Sequence, residues 1–264
     1  MTISVEIDGP IAIILIDNPA KRNAMTAAMW QALPTLLAQL EDHPGVRVVV
    51  LTGSGDVFCA GADISDLAAI GAQNGAASGF ANLAVAAEDA LATFPKPTIA
   101  AVNGDCVGGG CQLALACDIR LAVPHARFGI TPAKLGIVYP AQSIRRLVRL
   151  AGVSTAQWLL LTAGLVSAEE AWSMRLVHDV TDHLEERVEE VAETLAGHSL
   201  LSQVAMKEII ASDLDDEAGL EKRMEHWMRL VRDSGEAAEG AAAFLDRRPP
   251  DFPWKPQRAQ REER

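Results

Sequence analysis

The sequence predicts an α/β fold containing parallel strands, on three observations. Val48–Leu51, Thr98–Val102 and Ile119–Val123 are short apolar runs, mostly rich in β-branched residues, the pattern of strands buried on both faces. Helical stretches at Ser78–Phe94 and Gly109–Ala116 lie between them, and strands alternating with helices argue for parallel pairing. After Tyr139 the strand signal nearly vanishes and the chain reads as helix after helix.

Taken in order, Ile3–Ile7 and Ile11–Asp17 read as two strands joined at the turn Asp8-Gly9-Pro10. A helix follows, with Thr26 as its N-cap and apolar residues at Met29, Leu33, Leu36, Leu37 and Leu40. Pro34 inside it predicts a kink. The second half reads as helices at Ile144–Leu150, Thr155–Leu161, Ala168–Met174, Leu184–Ala196, Leu201–Ile210, Leu220–Val231 and Ala237–Leu245. From Pro249 the chain is rich in proline and charge and is expected to be irregular. Neither an internal repeat nor a low-complexity block precedes that tail.

The 264 residues suit one large domain or a domain with a small appendage. With 49% hydrophobic and 22% charged residues the chain is expected to be globular, and aromatics at 5% leave a core of Ala, Val, Leu and Ile. The formal charge of −12 argues against general binding to nucleic acid or an anionic membrane. Arg247–Arg264 carries a local net +3 against −15 elsewhere, which suits a solvated tail or contact with an anion. No signal-peptide apolar stretch follows Met1, so a cytoplasmic protein with reduced, mostly buried thiols at Cys59, Cys106, Cys111 and Cys117 is expected. Those cysteines have no histidines at zinc-ligand spacing, so no metal is expected. Thr98–Cys117 has the length of a membrane span, but Asn103, Asp105, Gln112 and its glycines read instead as strand, tight loop and helix.

Two glycine turns carry the chemistry. Val48–Leu51 runs into Thr52-Gly53-Ser54-Gly55-Asp56-Val57-Phe58-Cys59-Ala60-Gly61-Ala62-Asp63-Ile64, and Thr98–Val102 runs into Asn103-Gly104-Asp105-Cys106-Val107-Gly108-Gly109-Gly110-Cys111-Gln112. Each is a buried strand ending in a small-residue turn that opens a helix, where free N–H groups and the positive end of the dipole point outward. Side by side, two such turns could give two N–H donors to one oxygen, an oxyanion hole. The same glycines also suit nothing more than tight turns and close helix packing. A phosphate loop is disfavoured, because no Gly-Lys-Ser/Thr ending follows.

Along roughly Ile3–Trp254 the chain resembles the enoyl-CoA hydratase/isomerase (crotonase) superfamily. The blocks that carry the resemblance begin with Asn18-Pro19-Ala20-Lys21-Arg22-Asn23-Ala24-Met25, Phe58–Ile64 and Ala101-Val102-Asn103-Gly104. They continue with Gly108–Ala114, Cys117-Asp118-Ile119-Arg120, Phe128-Gly129 and Lys134-Leu135-Gly136, and end with Glu239-Gly240, Ala243-Phe244-Leu245 and Arg247-Arg248-Pro249. The resemblance implies a spiral of ββα units with a helical C-terminal region, assembled as a homotrimer or homohexamer. It divides the chain into a core over 1–195 that binds the acyl-CoA thioester, a helical trimerisation region over 196–254 and a tail over 255–264. It implies a lyase or isomerase whose substrate carries coenzyme A, with no tightly bound cofactor. The thioester oxygen would take the N–H groups of Ala62 and Gly109. Lys21, Arg22, Ala24, Ala60, Asp63 and Ile64 would meet the CoA moiety, with Phe244 and Arg247 reaching the adenine end, often that of a neighbouring subunit.

The sequence departs from the hydratase pattern at the acid–base positions. Where that pattern has its two glutamates, this chain has Gln112 and Pro132, and neither side chain serves as a general base. Asp66, one turn after Asp63, could turn toward the acyl pocket; Asp105 reads as a loop residue and Cys111 as packing. Thr131–Pro140 is similar to the methylmalonyl-CoA decarboxylase branch, in which Thr-Pro replaces the glutamate and a tyrosine stands at the place of Tyr139. Three hypotheses follow: a hydratase-type or isomerase-type enzyme, a 2-carboxyacyl-CoA decarboxylase using Gln112, Thr131 and Tyr139, and a non-catalytic acyl-CoA binding subunit. The Ala- and Gly-rich stretch Ala68–Asn82 is the expected pocket loop and leaves acyl length open. Because Gly109 sits at a turn, Gly109→Val is expected to remove activity and leave the fold largely intact.

Overall fold

A computed structural model describes residues 1–66, 77–213 and 215–255. Strands β1 (Thr2–Asp8) and β2 (Ile11–Asp17) form the expected antiparallel hairpin, with Val5 opposite Ile14. Helix α1 (Ala27–Asp42) starts where Thr26 Oγ1 accepts the Met29 N–H at 3.3 Å. It continues through Pro34 as one element, because the residues on either side are held by the buried stripe Met29, Trp30, Leu33, Leu37 and Leu40. Strand β3 (Val48–Gly53) then pairs in parallel with β2. Helix α2 (Ala77–Ala92) leads to β4 (Thr98–Val102), parallel to β3. The expected pocket loop Ala68–Asn82 lies outside the described residues as far as 76.

Strand β5 (Cys106–Val107) and helix α3 (Gly109–Ala116) follow, then β6 (Ile119–Ala122), parallel to β4. Strand β7 (Arg127–Gly129) pairs with β5 and, antiparallel, with β8 (Leu165–Ser167). Strand β9 (Asp179–Val180) completes a six-stranded sheet of order β1-β2-β3-β4-β6-β9, beside the three-stranded sheet β5-β7-β8. The fold is thus the expected α/β architecture with parallel strands and a helical C-terminal region, and β8 and β9 are short strands after Tyr139, where the sequence shows almost no strand signal. Both are too short, at three and two residues, to leave a periodic signal.

The central strands are buried on both faces. Val49, Leu51, Ala100 and Val102 belong to a large core shared with α1, α2 and α3. Val48, Val50, Ile99, Ala101 and Leu121 face Leu184 and Ala192 of helix α6 (Leu184–Gly197). Helix α4 (Ala141–Thr162) joins two expected helices into one, broken locally at Gly152, whose φ of 81° is left-handed. Helix α5 (Ala168–Ser173) opens with a reciprocal capping box between Ser167 and Glu170. The last helices are α7 (Leu200–Ala211), α8 (Glu217–Ser234) and α9 (Glu236–Asp246). They enclose a small core of Leu200, Leu201, Val204, Ala205 and Trp227. Lys207 ties α7 to the main sheet, donating to Asp118 at 2.5 Å, while Asp118 accepts the Thr98 N–H at 2.8 Å. Among the described residues, no helix is long and apolar enough to cross a membrane.

Candidate active site

The turn after β3 is held in shape by side chains. Asn23, itself left-handed at φ 57°, donates through Nδ2 to the carbonyls of Ser54 and Val57 at 2.9 and 2.6 Å. Its Oδ1 accepts the Asn18 N–H at 3.0 Å. Asn103, at the end of β4, donates to the Gly53 and Gly55 carbonyls at 2.8 and 2.6 Å. Met25 then brackets Ala62: the Met25 N–H reaches the Gly61 carbonyl at 2.7 Å and the Asp63 N–H reaches the Met25 carbonyl at 2.9 Å. Backbone groups alternate sides along an extended segment, so the N–H of Ala62 points away from Met25.

On that other side lies the second turn. The two turns are stitched together where the Cys59 N–H meets the Asp105 carbonyl at 3.0 Å and the Val107 N–H meets the Cys59 carbonyl at 2.9 Å. Gly108, at φ 55°, caps α3 and donates to the Gly129 carbonyl at 2.8 Å. A Cβ on Gly109 would stand 3.5 Å from the Ala62 nitrogen and 2.8 Å from Cζ2 of the fully buried Trp30. A Cβ on Gly110 would strike the Cys59 carbonyl oxygen at 2.3 Å. The glycines therefore do both things the sequence left open: they allow close packing, and they bring the Ala62 and Gly109 N–H groups together. Neither N–H has a hydrogen-bond partner among the described residues. Trp30 also corrects the expectation for Gly109→Val, because any side chain at Gly109 meets a buried indole.

The polar candidates are held largely by one another. Lys21 donates to Asp63 at 2.6 Å and to Ser65 at 2.7 Å, and the bonds Asp63 accepts, from Lys21 foremost and then from Ser65, lower its carboxyl below the usual range. Asp63 also accepts the Ser65 N–H at 3.0 Å, a capping contact. Arg22 pairs with Asp105, and Arg127 grips the same carboxylate at 2.9 and 2.6 Å, which lowers its pKa, Arg127 contributing most. Asp105 is thus a buried partner of two arginines rather than a free loop residue. Asp66 accepts the Ala27 N–H at 2.9 Å at the start of α1, so it is committed there and does not turn to the acyl pocket. Ala24 is buried, Ala60 donates its N–H to the Arg22 carbonyl at 3.0 Å, and Ile64 is exposed. Phe244, 84% exposed, and Arg247, the left-handed cap of α9, have no bonds to the two turns among the described residues.

Tyr139 is buried, and its hydroxyl donates to the Gly108 carbonyl at 3.3 Å; burial pushes its pKa well up. All four cysteines are buried and free, and burial pushes Cys59 and Cys117 up to about 12. Gln112 is buried and donates through Nε2 to Glu88 Oε2 at 2.6 Å.

The enoyl-CoA hydratase/isomerase family model matches residues 6–255. The chain belongs to the enoyl-CoA hydratase/isomerase family. Among curated relatives it is 34% identical over 259 residues to the crotonyl-CoA hydratase of Syntrophomonas wolfei, covering 95% of this chain and 97% of that protein. It is 33% identical over 253 residues to the 2,3-dehydroadipyl-CoA hydratase of Escherichia coli, covering 92% and 94%. A crystal structure of an enoyl-CoA hydratase/isomerase family member superposes with a TM-score of 0.89 at 40% identity, covering 97% of this chain and 99% of that one. Family membership makes the protein an acyl-CoA enzyme.

Sequence reasoning missed four residues that hold the two turns and Gln112 in place in this enoyl-CoA hydratase/isomerase family member. Trp30 and Arg127 left no local signal, since each acts through a residue far away in sequence, Gly109 and Asp105. Glu88 and Arg146 left a clearer signal. Glu88 lies one residue after buried Ala87 and three before buried Leu91, so a carboxylate sits on the apolar stripe of α2. Such a charge requires a partner, and Arg146 of α4 supplies it.

Proposed function

We propose that this family member binds an acyl-CoA thioester with its carbonyl oxygen between the N–H groups of Ala62 and Gly109 and stabilises the enolate formed there. The observation that carries the reading is the convergence of two N–H groups, both without partners among the described residues, at the N-terminus of α3. The helix dipole adds positive potential at that point. One such donor supplies roughly 3–4 kcal/mol of transition-state stabilisation. The reaction is of the hydratase/isomerase type, run without a carboxylate at residues 112 and 132.

The exposed faces of Arg22 and Arg127 support a place for the CoA phosphates, with Asp105 holding both guanidinium groups in position. Lys21 and the neighbouring Ala24, Ala60, Asp63 and Ile64 form the rest of that wall. Phe244 and Arg247 would complete an adenine subsite from an adjacent subunit of a homotrimer or homohexamer, to which exposed Phe244 is suited. For the decarboxylase reading, Gln112, Thr131 and Tyr139 would have to hold a carboxylate. One Gln112 N–H and the Tyr139 hydroxyl are instead donated inward, to Glu88 and Gly108, so the hydratase/isomerase reading is favoured.

The test is a panel of acyl-CoA thioesters incubated with the protein and resolved by mass. Crotonyl-CoA is expected to lose its enoyl absorbance and gain one water, or a 3-enoyl ester to shift its double bond. Carbon dioxide release from methylmalonyl-CoA in their place would establish the decarboxylase. Binding of CoA with no turnover of any ester would reduce the protein to a binding subunit.

A further inference from the structure

Each of the two converging donors belongs to a peptide unit whose carbonyl is itself hydrogen-bonded from behind. The unit that ends in the Ala62 N–H begins with the Gly61 carbonyl, which accepts the Met25 N–H at 2.7 Å. The unit that ends in the Gly109 N–H begins with the Gly108 carbonyl, which accepts the Gln112 N–H at 3.1 Å and the Tyr139 hydroxyl at 3.3 Å. A carbonyl can only accept, so the phenol proton points at Gly108. Tyr139 is 8% exposed and belongs to the main hydrophobic core, and its hydroxyl has no second hydrogen-bond partner among the described residues. Its place in the chain is fixed by Pro140, which caps α4 and accepts the Ile144 N–H at 3.0 Å.

A hydroxyl is not needed there for packing or for backbone satisfaction. Phenylalanine would fill nearly the same volume without burying a polar group. The Gly108 carbonyl already has its helical partner in the Gln112 N–H. What a second donor adds is polarisation. Drawing electron density onto a carbonyl oxygen makes the N–H of the same peptide unit a stronger donor, and linked hydrogen bonds reinforce one another by roughly 10–30% per bond. The chain of bonds here runs from the Tyr139 O–H to the Gly108 carbonyl and through one peptide bond to the Gly109 N–H, which faces the thioester oxygen. Its effect grows as that oxygen gains charge, so it favours the enolate over the bound ester.

We infer that Tyr139 is a positioning residue: its hydroxyl orients and polarises the Gly108–Gly109 peptide, so that the Gly109 N–H holds an enolate oxygen more tightly than a bare helix terminus would. The inference rests on the acyl-CoA reading above and concerns the strength of one of its two donors. It keeps Tyr139 out of contact with the substrate and out of proton transfer, whichever ester is turned over.

Tyr139 is the only tyrosine in the chain, so biosynthetic replacement of tyrosine alters this hydroxyl alone. Tyrosine fluorinated once or twice beside the hydroxyl is progressively more acidic, hence a stronger donor, at nearly constant shape. The readouts, at mildly acidic pH where each phenol keeps its proton, are the infrared stretching frequency of an isotope-labelled carbonyl in bound butyryl-CoA and kcat for the best ester of the panel. Along the series the frequency is expected to fall and kcat to rise; a tyrosine that only packs would move neither. Tyr139→Phe is expected to raise the frequency and to lose about two- to eightfold in kcat, with KM and the affinity for free CoA little changed. That loss is 10–30%, on a logarithmic scale, of the roughly 10²–10³ that one donor supplies. A flat frequency across the folded fluorinated proteins would overturn the inference even if Tyr139→Phe failed to fold, and would leave the acyl-CoA reading standing. So would wild-type frequency and kcat in Tyr139→Phe. If butyryl-CoA failed to bind the wild type, or bound with no lowering of its carbonyl frequency, the reading of the two N–H groups would itself fall and take this one with it.

Discussion

Replacing Gly109 by alanine is expected to damage stability and catalysis together, and the two losses are separable. The new Cβ would lie 2.8 and 3.2 Å from Cζ2 and Cη2 of Trp30 and 3.5 Å from the Ala62 nitrogen. Carbon atoms in van der Waals contact prefer about 3.5–4.0 Å, so the indole or the turn must move by roughly 0.7 Å or more. Trp30 is fully buried, and overpacking at such a site costs about 1–3 kcal/mol. Moving the turn also withdraws the Gly109 N–H from the thioester oxygen, for which a loss of about 10²–10³ in kcat is expected. Urea denaturation measures the first term, and turnover of the best ester in the acyl-CoA panel measures the second. Trp30→Phe shortens the ring at the point of contact. Combined with Gly109→Ala, it should therefore destabilise by about 1 kcal/mol or more less than the sum of the single changes. A Gly109→Ala protein with wild-type urea midpoint and wild-type turnover would refute both the wedge and the donor.

Other expectations can be read from the same contacts. Arg146→Met strands the Glu88 carboxylate in the core and is expected to cost about 3–5 kcal/mol by urea denaturation; a loss under 1 kcal/mol would mean that Glu88 finds another partner. Asp63 and Asp105 titrate lower in the folded than in the unfolded chain, held down chiefly by Lys21 and Arg127. Their stabilisation is therefore complete above an unfolded aspartate pKa of about 3.9 and is lost as pH falls through the lower folded values. Melting temperature measured below pH 4 should drop less steeply in Asp63→Asn than in the wild type, and an equal slope would contradict this. Native protein should leave all four thiols unmodified by an aromatic disulfide reagent at pH 8, with all four reacting in denaturant; rapid native labelling would contradict their burial.

Much of this arrangement was legible in the sequence because its signals are local. The hairpin at Asp8-Gly9-Pro10, the Thr26 cap and the bounds of α3 each depend on a few neighbouring residues, and each lies where expected. The family motifs also located both glycine turns. What escaped depends on residues far apart in sequence. β5 and β9 are two residues long and exist only because β7 and β6 lie beside them. The pairing of Glu88 with Gln112 spans 24 positions and that with Ser143 spans 55. Trp30 against Gly109 is likewise a tertiary contact, and no periodicity announces it. The same holds for Lys21 and Arg22: their charge was visible, and their commitment to Asp63 and Asp105 was not.

The two stitched turns also bear on tolerance to change. They leave neighbouring parallel strands, β3 and β4, which in any sheet run about 4.8 Å apart. The strand spacing sets where the two turns begin, and the Cys59 bonds and the Trp30 contact carry that spacing forward to Ala62 and Gly109. A chain built this way can exchange side chains around the two turns while the turns keep their spacing. A slip in strand register, which would turn every buried valine of β3 to the opposite face, would displace both turns at once, where a wedge at Gly109 displaces one.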